Sequence, residues 1–191
     1  NIDKIPASDI AKKFKTPCYV YSKLAIEHNF NQFKYAFEGR KNLICYAVKA
    51  NSNIAIINIL ARLGSGFDIV SGGELLRVLA AGGDPGKIVF SGVGKTTEEI
   101  DLALRKKIKC FNVESESELY RISDVAQKLN IRTRISFRVN PDVDAKTHPY
   151  ISTGLKENKF GVGFEDAVRL YKVATELPHI NPTGIDCHIG S

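Results

Sequence analysis

The 191 residues contain no methionine and no tryptophan, so an initiator residue is not among them. No apolar run reaches the roughly 18 residues that a membrane-spanning helix needs, and the first residues do not form a signal peptide. A cytoplasmic protein without a membrane partner is therefore expected. Cysteine is scarce, and Cys18, Cys45, Cys110 and Cys187 lie far apart with no C-x-x-C pair among them. That spacing excludes a disulfide framework and a zinc site, and no metal is expected. Each cysteine sits in or beside an apolar stretch, which suits buried, reduced thiols. A G-x-G-x-x-G fingerprint is also lacking, and Gly92-Val93-Gly94-Lys95-Thr96 wants the upstream glycine of a phosphate-binding loop.

Charge of one sign is in slight excess, with a formal net charge of +6. The cations are spread along the chain, and the densest cluster, Arg105-Lys106-Lys107-Ile108-Lys109, is short and falls where a helix should end. There it complements the negative end of a helix dipole. Without interleaved aromatics or a helix-turn-helix pattern it predicts a solvated face rather than a nucleic-acid surface.

What is present is a repeating strand-helix rhythm. Leu43 to Val48 is almost wholly apolar and reads as a strand buried on both faces. Ile54, Ile57, Leu60, Ala61 and Leu63 then recur at helical spacing. Further strands are expected at Phe67–Val70, Ile88–Phe90, Cys110–Val113, Ile135–Val139 and Gly184–Ile189. Three of them run directly into S/T-x-x-E capping boxes, beginning at Ser71, Thr96 and Ser115. Strand ends recur every twenty or so residues, the period of a parallel strand with its crossover helix.

This predicts an α/β fold of the (β/α)8 TIM-barrel type, with about six units in this chain and an apolar interior. Residues 1–40 read as a lead-in and residues 41–191 as an incomplete barrel. In the lead-in, a helix from Pro6 to Phe14 capped by Ser8, a strand at Cys18–Tyr21 and a helix from Lys23 to Phe37 are expected. One interval is long. Asn140 to Gly163 is too polar for core and too extended for a turn, as loops that build active sites are.

In a barrel the carboxyl ends of the strands share one cavity. Lys49, Asp68 with Ser71, Ser91 with Gly92, Glu114, Arg138, and His188 with Ser191 all fall there. Each has an ordinary explanation: a solvated lysine, a helix cap, a satisfied core histidine. Together they resemble a site built around an amine that can attack a carbonyl. Paired carboxylates for glycoside hydrolysis would leave Lys49 and Arg138 without roles.

Four segments carry a family resemblance: Tyr46-Ala47-Val48-Lys49-Ala50-Asn51, Arg138-Val139-Asn140-Pro141, Thr147 through Gly161, and His188-Ile189-Gly190-Ser191. The chain resembles the diaminopimelate decarboxylase family, enzymes dependent on pyridoxal 5'-phosphate with an alanine-racemase-like barrel. The first and last segments are shared with ornithine and arginine decarboxylases, while the Thr147–Gly161 segment is similar to the diaminopimelate enzymes in particular. The resemblance implies decarboxylation of meso-2,6-diaminopimelate to L-lysine, the last step of lysine biosynthesis. It implies that Lys49 forms a Schiff base with the cofactor, that His188 stacks on its ring and that Ser191 approaches its phosphate. Asp68 and Arg138 would lie at the cofactor's rim.

It further implies a homodimer with shared sites, two more barrel strands bearing the phosphate site and the proton-holding acid, and a C-terminal β-domain. Residues 1–191 alone are accordingly expected to be inactive. A related ornithine, arginine or carboxynorspermidine decarboxylase, and a barrel that binds the cofactor without a reaction, are the alternatives.

Overall fold

The computed structural model describes residues 1–141 and 160–188. Two helices come first, α1 (Ala7–Phe14) and α2 (Lys23–Ala36). Six strands follow, each joined to the next through a helix: β1 (Cys45–Ala47), α3 (Ile54–Arg62), β2 (Gly66–Ile69), α4 (Gly72–Ala80), β3 (Ile88–Phe90), α5 (Thr97–Arg105), β4 (Cys110–Val113), α6 (Glu116–Leu129), β5 (Thr133–Arg138), α7 (Phe164–Glu176) and β6 (Ile180–Asp186).

The strands pair in parallel in the order β1-β2-β3-β4-β5-β6. Sequential order with right-handed crossovers puts every crossover helix on one face, whereas a doubly wound sheet reverses its order and covers both. The expected barrel winding is therefore present.

Side chains alternate across this sheet with period two. The pairs Phe67/Ile69, Ile88/Phe90, Phe111/Val113 and Ile135/Phe137 are fully buried and form the core against the helices. Phe90 and Phe111 stack with centroids 5.9 Å apart, and Phe137 meets Tyr171 of α7 edge-on at 4.9 Å. The opposite, concave face is where expectation fails. Instead of apolar packing it carries Asp68, Ser91, Asn112, Ser136, Arg138 and Asp186, joined by side-chain hydrogen bonds or bordering one cleft.

Local signals held where the chain supplies its own hydrogen bonds. Ser71, Thr96 and Ser115 each accept from the backbone N–H three residues on. Only Thr96 and Glu99 complete the reciprocal box. Glu74 and Glu118 instead reach one residue further back, accepting from the backbone N–H of Val70 and Glu114, which ties each helix start to the strand end before it. At α1 the cap is Pro6 and not Ser8, which lies inside the helix.

Other expectations need correction. Cys18–Tyr21 is not a strand: no neighbouring strand pairs with it among the described residues, and Tyr19 is 92% exposed. The strand at Leu43–Val48 is shorter and half-buried, because β1 has one strand neighbour, β2, in the described sheet. The last strand lies at Ile180–Asp186 rather than Gly184–Ile189. Pro182 and Gly184 disguise it, and both are accommodated at a register shift against Ile135 and Ser136, on a strand with one described neighbour. Cys18 and Cys187 are exposed, and Cys45 and Cys110 only half-buried, although all four are free thiols as expected.

Candidate functional site

A cleft of about 520 Å³ opens at the carboxyl ends of the strands, and Lys49, Asp68, Arg138 and His188 all border it. Four of the five site residues expected from sequence thus converge. Ser191 and residues 142–159 of the long polar loop lie outside the described residues. A second groove of about 490 Å³, between α2 and β1, is mainly apolar and holds no carboxylate, amine or imidazole. The first is the candidate site.

Lys49 sits in a single 3-10 turn, Val48–Ala50, between β1 and α3. Its neighbours fix that turn. Val48 is wholly buried beneath it, and the Tyr46 hydroxyl donates to the Asn51 carbonyl at 3.2 Å. Asn51 Oδ1 then accepts from the Asn53 N–H at 3.0 Å, and Asn53 caps α3 by accepting from Ala55 N–H at 2.9 Å. The Tyr-Ala-Val-Lys-Ala-Asn motif is therefore a device for presenting one exposed amine on a rigid support.

Asp68 leaves β2 on the concave face and accepts the Ser91 hydroxyl proton at 2.5 Å. Burial pushes its carboxyl above the ordinary range. The Ser91 hydrogen bond is the largest effect drawing it back, Asp186 adds to the rise, and Lys49 and Arg138 oppose it. Asp186 is likewise pushed up by burial, against the pull of Arg138. His188 is held below its usual value by burial and by the Arg138 and Lys49 cations, so its imidazole is neutral at pH 7. The Cys45 thiol, desolvated and beside Asp68, is pushed up to about 11.

Arg138 closes the cleft from the end of β5. Its guanidinium reaches Glu114 at 3.4 Å and lies over the Phe160 ring, 5.0 Å from its centroid. The segment after the polar loop returns here: Val162 N–H donates to the Arg138 carbonyl at 2.9 Å. Gly161 makes that approach possible, since its φ is +78° and an added Cβ would stand 2.7 Å from the Arg138 carbonyl oxygen. Glu114 Oε1 also accepts from Gly92 N–H at 2.7 Å, whereas its Oε2 is buried with no hydrogen-bond partner among the described residues.

Behind the cleft is a group that sequence reasoning missed. Lys95 is buried and spends its ammonium on the Gly92 carbonyl (2.6 Å), the Asn112 carbonyl (2.8 Å) and Glu118 Oε1 (2.7 Å). Burial pushes the Glu118 carboxyl up while Lys95 pulls it back. This pair pins the loop after β3 to the start of α6, and with it the Gly92–Glu114 contact. Nothing local marks Lys95 as buried. Asp186 and Asn112 were legible in principle. Asp186 is two residues before His188, the period of one face of an extended chain, and Asn112 is a polar residue between Phe111 and Val113.

Comparison with known proteins gives consistent relatives. Residues 23–191 match the family model "Pyridoxal-dependent decarboxylase, pyridoxal binding domain". Diaminopimelate decarboxylase of Vibrio cholerae is 59% identical over 189 residues, which is 99% of this chain and 45% of that protein. The crystal structure of diaminopimelate decarboxylase from Helicobacter pylori complexed with L-lysine superposes with a TM-score of 0.95 at 52% identity, covering 97% of this chain and 47% of that one. The crystal structure of diaminopimelate decarboxylase from m. jannaschii in co-complex with L-lysine gives a TM-score of 0.93 at 45% identity, covering 100% of this chain and 46% of that one. The chain thus spans about half the length of the relatives it matches.

Proposed function

Since the chain belongs to the pyridoxal-dependent decarboxylases, we propose that it is the cofactor-binding barrel portion of an enzyme converting meso-2,6-diaminopimelate to L-lysine and CO2. The observation that carries this reading is 59% identity to a diaminopimelate decarboxylase along virtually the whole chain. In this reading residues 41–191 hold the cofactor and residues 1–40 lead into the barrel.

The residues around the cleft suit pyridoxal 5'-phosphate. An anionic aromatic aldehyde needs a primary amine, a flat neutral surface and positive charge, and Lys49, the neutral imidazole of His188 and Arg138 offer these around one space. The bound cofactor supplies an electron sink for the carbanion left when CO2 departs from the α-carbon. Lys49, the one exposed primary amine bordering the cleft among the described residues, would hold the cofactor through its aldehyde carbon. His188, bordering the same cleft, would cover the ring face and keep water from it. Arg138, clamped by Glu114 and Phe160, faces negative charge at the cofactor rim, and Asp68 orients the groups near the Lys49 amine. Ser191, which lies outside the described residues, would approach the phosphate, as the family resemblance implies.

The working protein is, in this reading, a cytoplasmic homodimer with shared sites. The free cysteines suit a reducing compartment, and no described helix is long and apolar enough to cross a membrane.

The test uses the full-length protein. Borohydride trapping with pyridoxal 5'-phosphate, followed by peptide mapping, should label Lys49. Lys49→Ala should abolish the visible absorbance and lower turnover by orders of magnitude. Lysine release from diaminopimelate, set beside ornithine, arginine and carboxynorspermidine, tests the substrate. A label on another lysine, or faster turnover of one of the other three amines, would overturn the assignment.

A further inference from the structure

Across the concave face runs a chain of side-chain hydrogen bonds that links four consecutive strand units. Ser136 of β5 donates its hydroxyl to Asn112 Oδ1 on β4. Asn112 Nδ2 donates to Ser91 Oγ, just past β3, at 3.1 Å, and Ser91 donates to Asp68 Oδ1 on β2. Ser91, Asn112 and Ser136 are each less than a tenth exposed, so water competes little for these bonds. We propose that Asn112 is a positioning residue of the cleft, whose amide orientation commits the Ser91 hydroxyl proton to Asp68 and so holds Asp68 as a hydrogen-bond acceptor beside Lys49. The inference rests on the proposed function only for the use to which Asp68 is put.

The argument is one of counting protons. A serine hydroxyl has a single proton to give. While the Asn112 amide nitrogen faces Ser91, that hydroxyl must accept from it, and its own proton is left for Asp68. Turn the amide over and the polarity of the whole row reverses. Ser91 would then donate to Asn112 Oδ1, and its bond to Asp68 would survive only if Asp68 carried a proton and donated it. The orientation of one amide is thereby coupled to the charge on a carboxyl two bonds away in the row.

Two contacts hold Asn112 in the row. The Asn112 backbone carbonyl is held by Lys95 Nζ, which fixes the residue's backbone position. Ser136 supplies a hydroxyl to its Oδ1, so the amide oxygen has a donor where it stands. The environment of Asp68 gives this bond weight. Asp68 is opposed by burial and by Asp186, and helped by Lys49 and Arg138; the Ser91 hydrogen bond outweighs either cation. The remaining titratable groups near it are the Cys45 and Cys110 thiols and His188. Without that bond, the protonated form of Asp68 gains ground.

The consequence is read on Asp68 itself. In the full-length protein with 13C-labelled aspartate, the Asp68 carboxyl signal is identified by its loss in Asp68→Asn. Asn112→Leu, which keeps volume and removes the row's centre, should move the Asp68 titration to higher pH. Ser136→Ala touches neither Asp68 nor Ser91, yet should move it the same way by less, because the amide is then free to turn. The acid side of the kcat/KM profile should follow, with a loss of roughly tenfold in Asn112→Leu, the size of one weakened charge-assisted hydrogen bond, fading towards alkaline pH. A purely structural row would lower stability in both variants without shifting the titration. An unmoved Asp68 signal in folded Asn112→Leu overturns the proposal, and if that variant does not fold, an unmoved signal in Ser136→Ala does so alone. Absent lysine release from the unmodified protein would reject the proposed function while leaving the titration result intact.

Discussion

Replacing Lys95 by methionine isolates the energetics of the support behind the cleft. The side chain of Lys95 has 0% relative exposure and that of Glu118 has 5%, so both charges are effectively out of water. Desolvating an ion costs several kcal/mol, and the attraction at 2.7 Å roughly offsets that cost for the intact pair. Breaking the pair is a different matter. Methionine keeps the aliphatic stem but leaves the Gly92 and Asn112 carbonyls without this donor and Glu118 without its counter-charge. Removing one partner of a buried pair typically costs about 3–5 kcal/mol.

The loss should depend on pH with a definite sign. The Glu118 carboxyl is raised by burial even with Lys95 present. Without Lys95 it rises further, so the folded state binds a proton that the unfolded chain has released. Stability of Lys95→Met therefore falls as pH rises from the unfolded carboxyl value of 4.5. Urea unfolding of the full-length protein at pH 5 and pH 8 would measure both the cost and its slope. Adding Glu118→Gln, whose amide oxygen can still accept from Glu114 N–H, should recover part of the loss at pH 8. A cost under about 1 kcal/mol, no dependence on pH, or further damage from Glu118→Gln would refute the account.

Other outcomes are more local. His188→Ala should weaken pyridoxal 5'-phosphate binding in a titration while leaving the fold intact. Because His188 is held below 6.5, the parent also loses stability as pH falls through that value, and the variant should lose less; melting curves at pH 5.5 and 7.5 check this. Gly161→Ala should cost about 1–3 kcal/mol, from a positive φ and a Cβ driven into the Arg138 carbonyl, and should lower activity through Arg138; denaturation and kinetics read the two effects. Thr96→Ala should cost about 1 kcal/mol in unfolding experiments by removing its reciprocal capping box with Glu99, with cofactor binding unchanged.

The sequence by itself determined the elements whose causes are local. Apolar runs gave β2 and β4 to within a residue, and Ser or Thr with Glu three positions on gave the starts of α4, α5 and α6, because a capped helix start satisfies its own backbone donors. The regular spacing of those units determined the parallel winding, and it put Lys49, Asp68, Arg138 and His188 at or just beyond strand ends, where the fold gathers them around one cleft.

Tertiary structure decided what depends on partners distant in the chain. Whether a strand-like segment pairs rests on an available neighbour, so Cys18–Tyr21 remained unpaired while the proline-bearing Ile180–Asp186 joined the sheet. Whether a lysine is solvated or buried rests on acceptors elsewhere. Lys95, in a glycine-rich loop, found three of them and vanished into the interior, while Lys49, beyond an apolar strand, stayed exposed. The polarity of the concave face was hidden for the same reason. Asp68, Ser91, Asn112 and Ser136 are isolated polar residues more than twenty positions apart in sequence, and only strand register turns them into one hydrogen-bonded row.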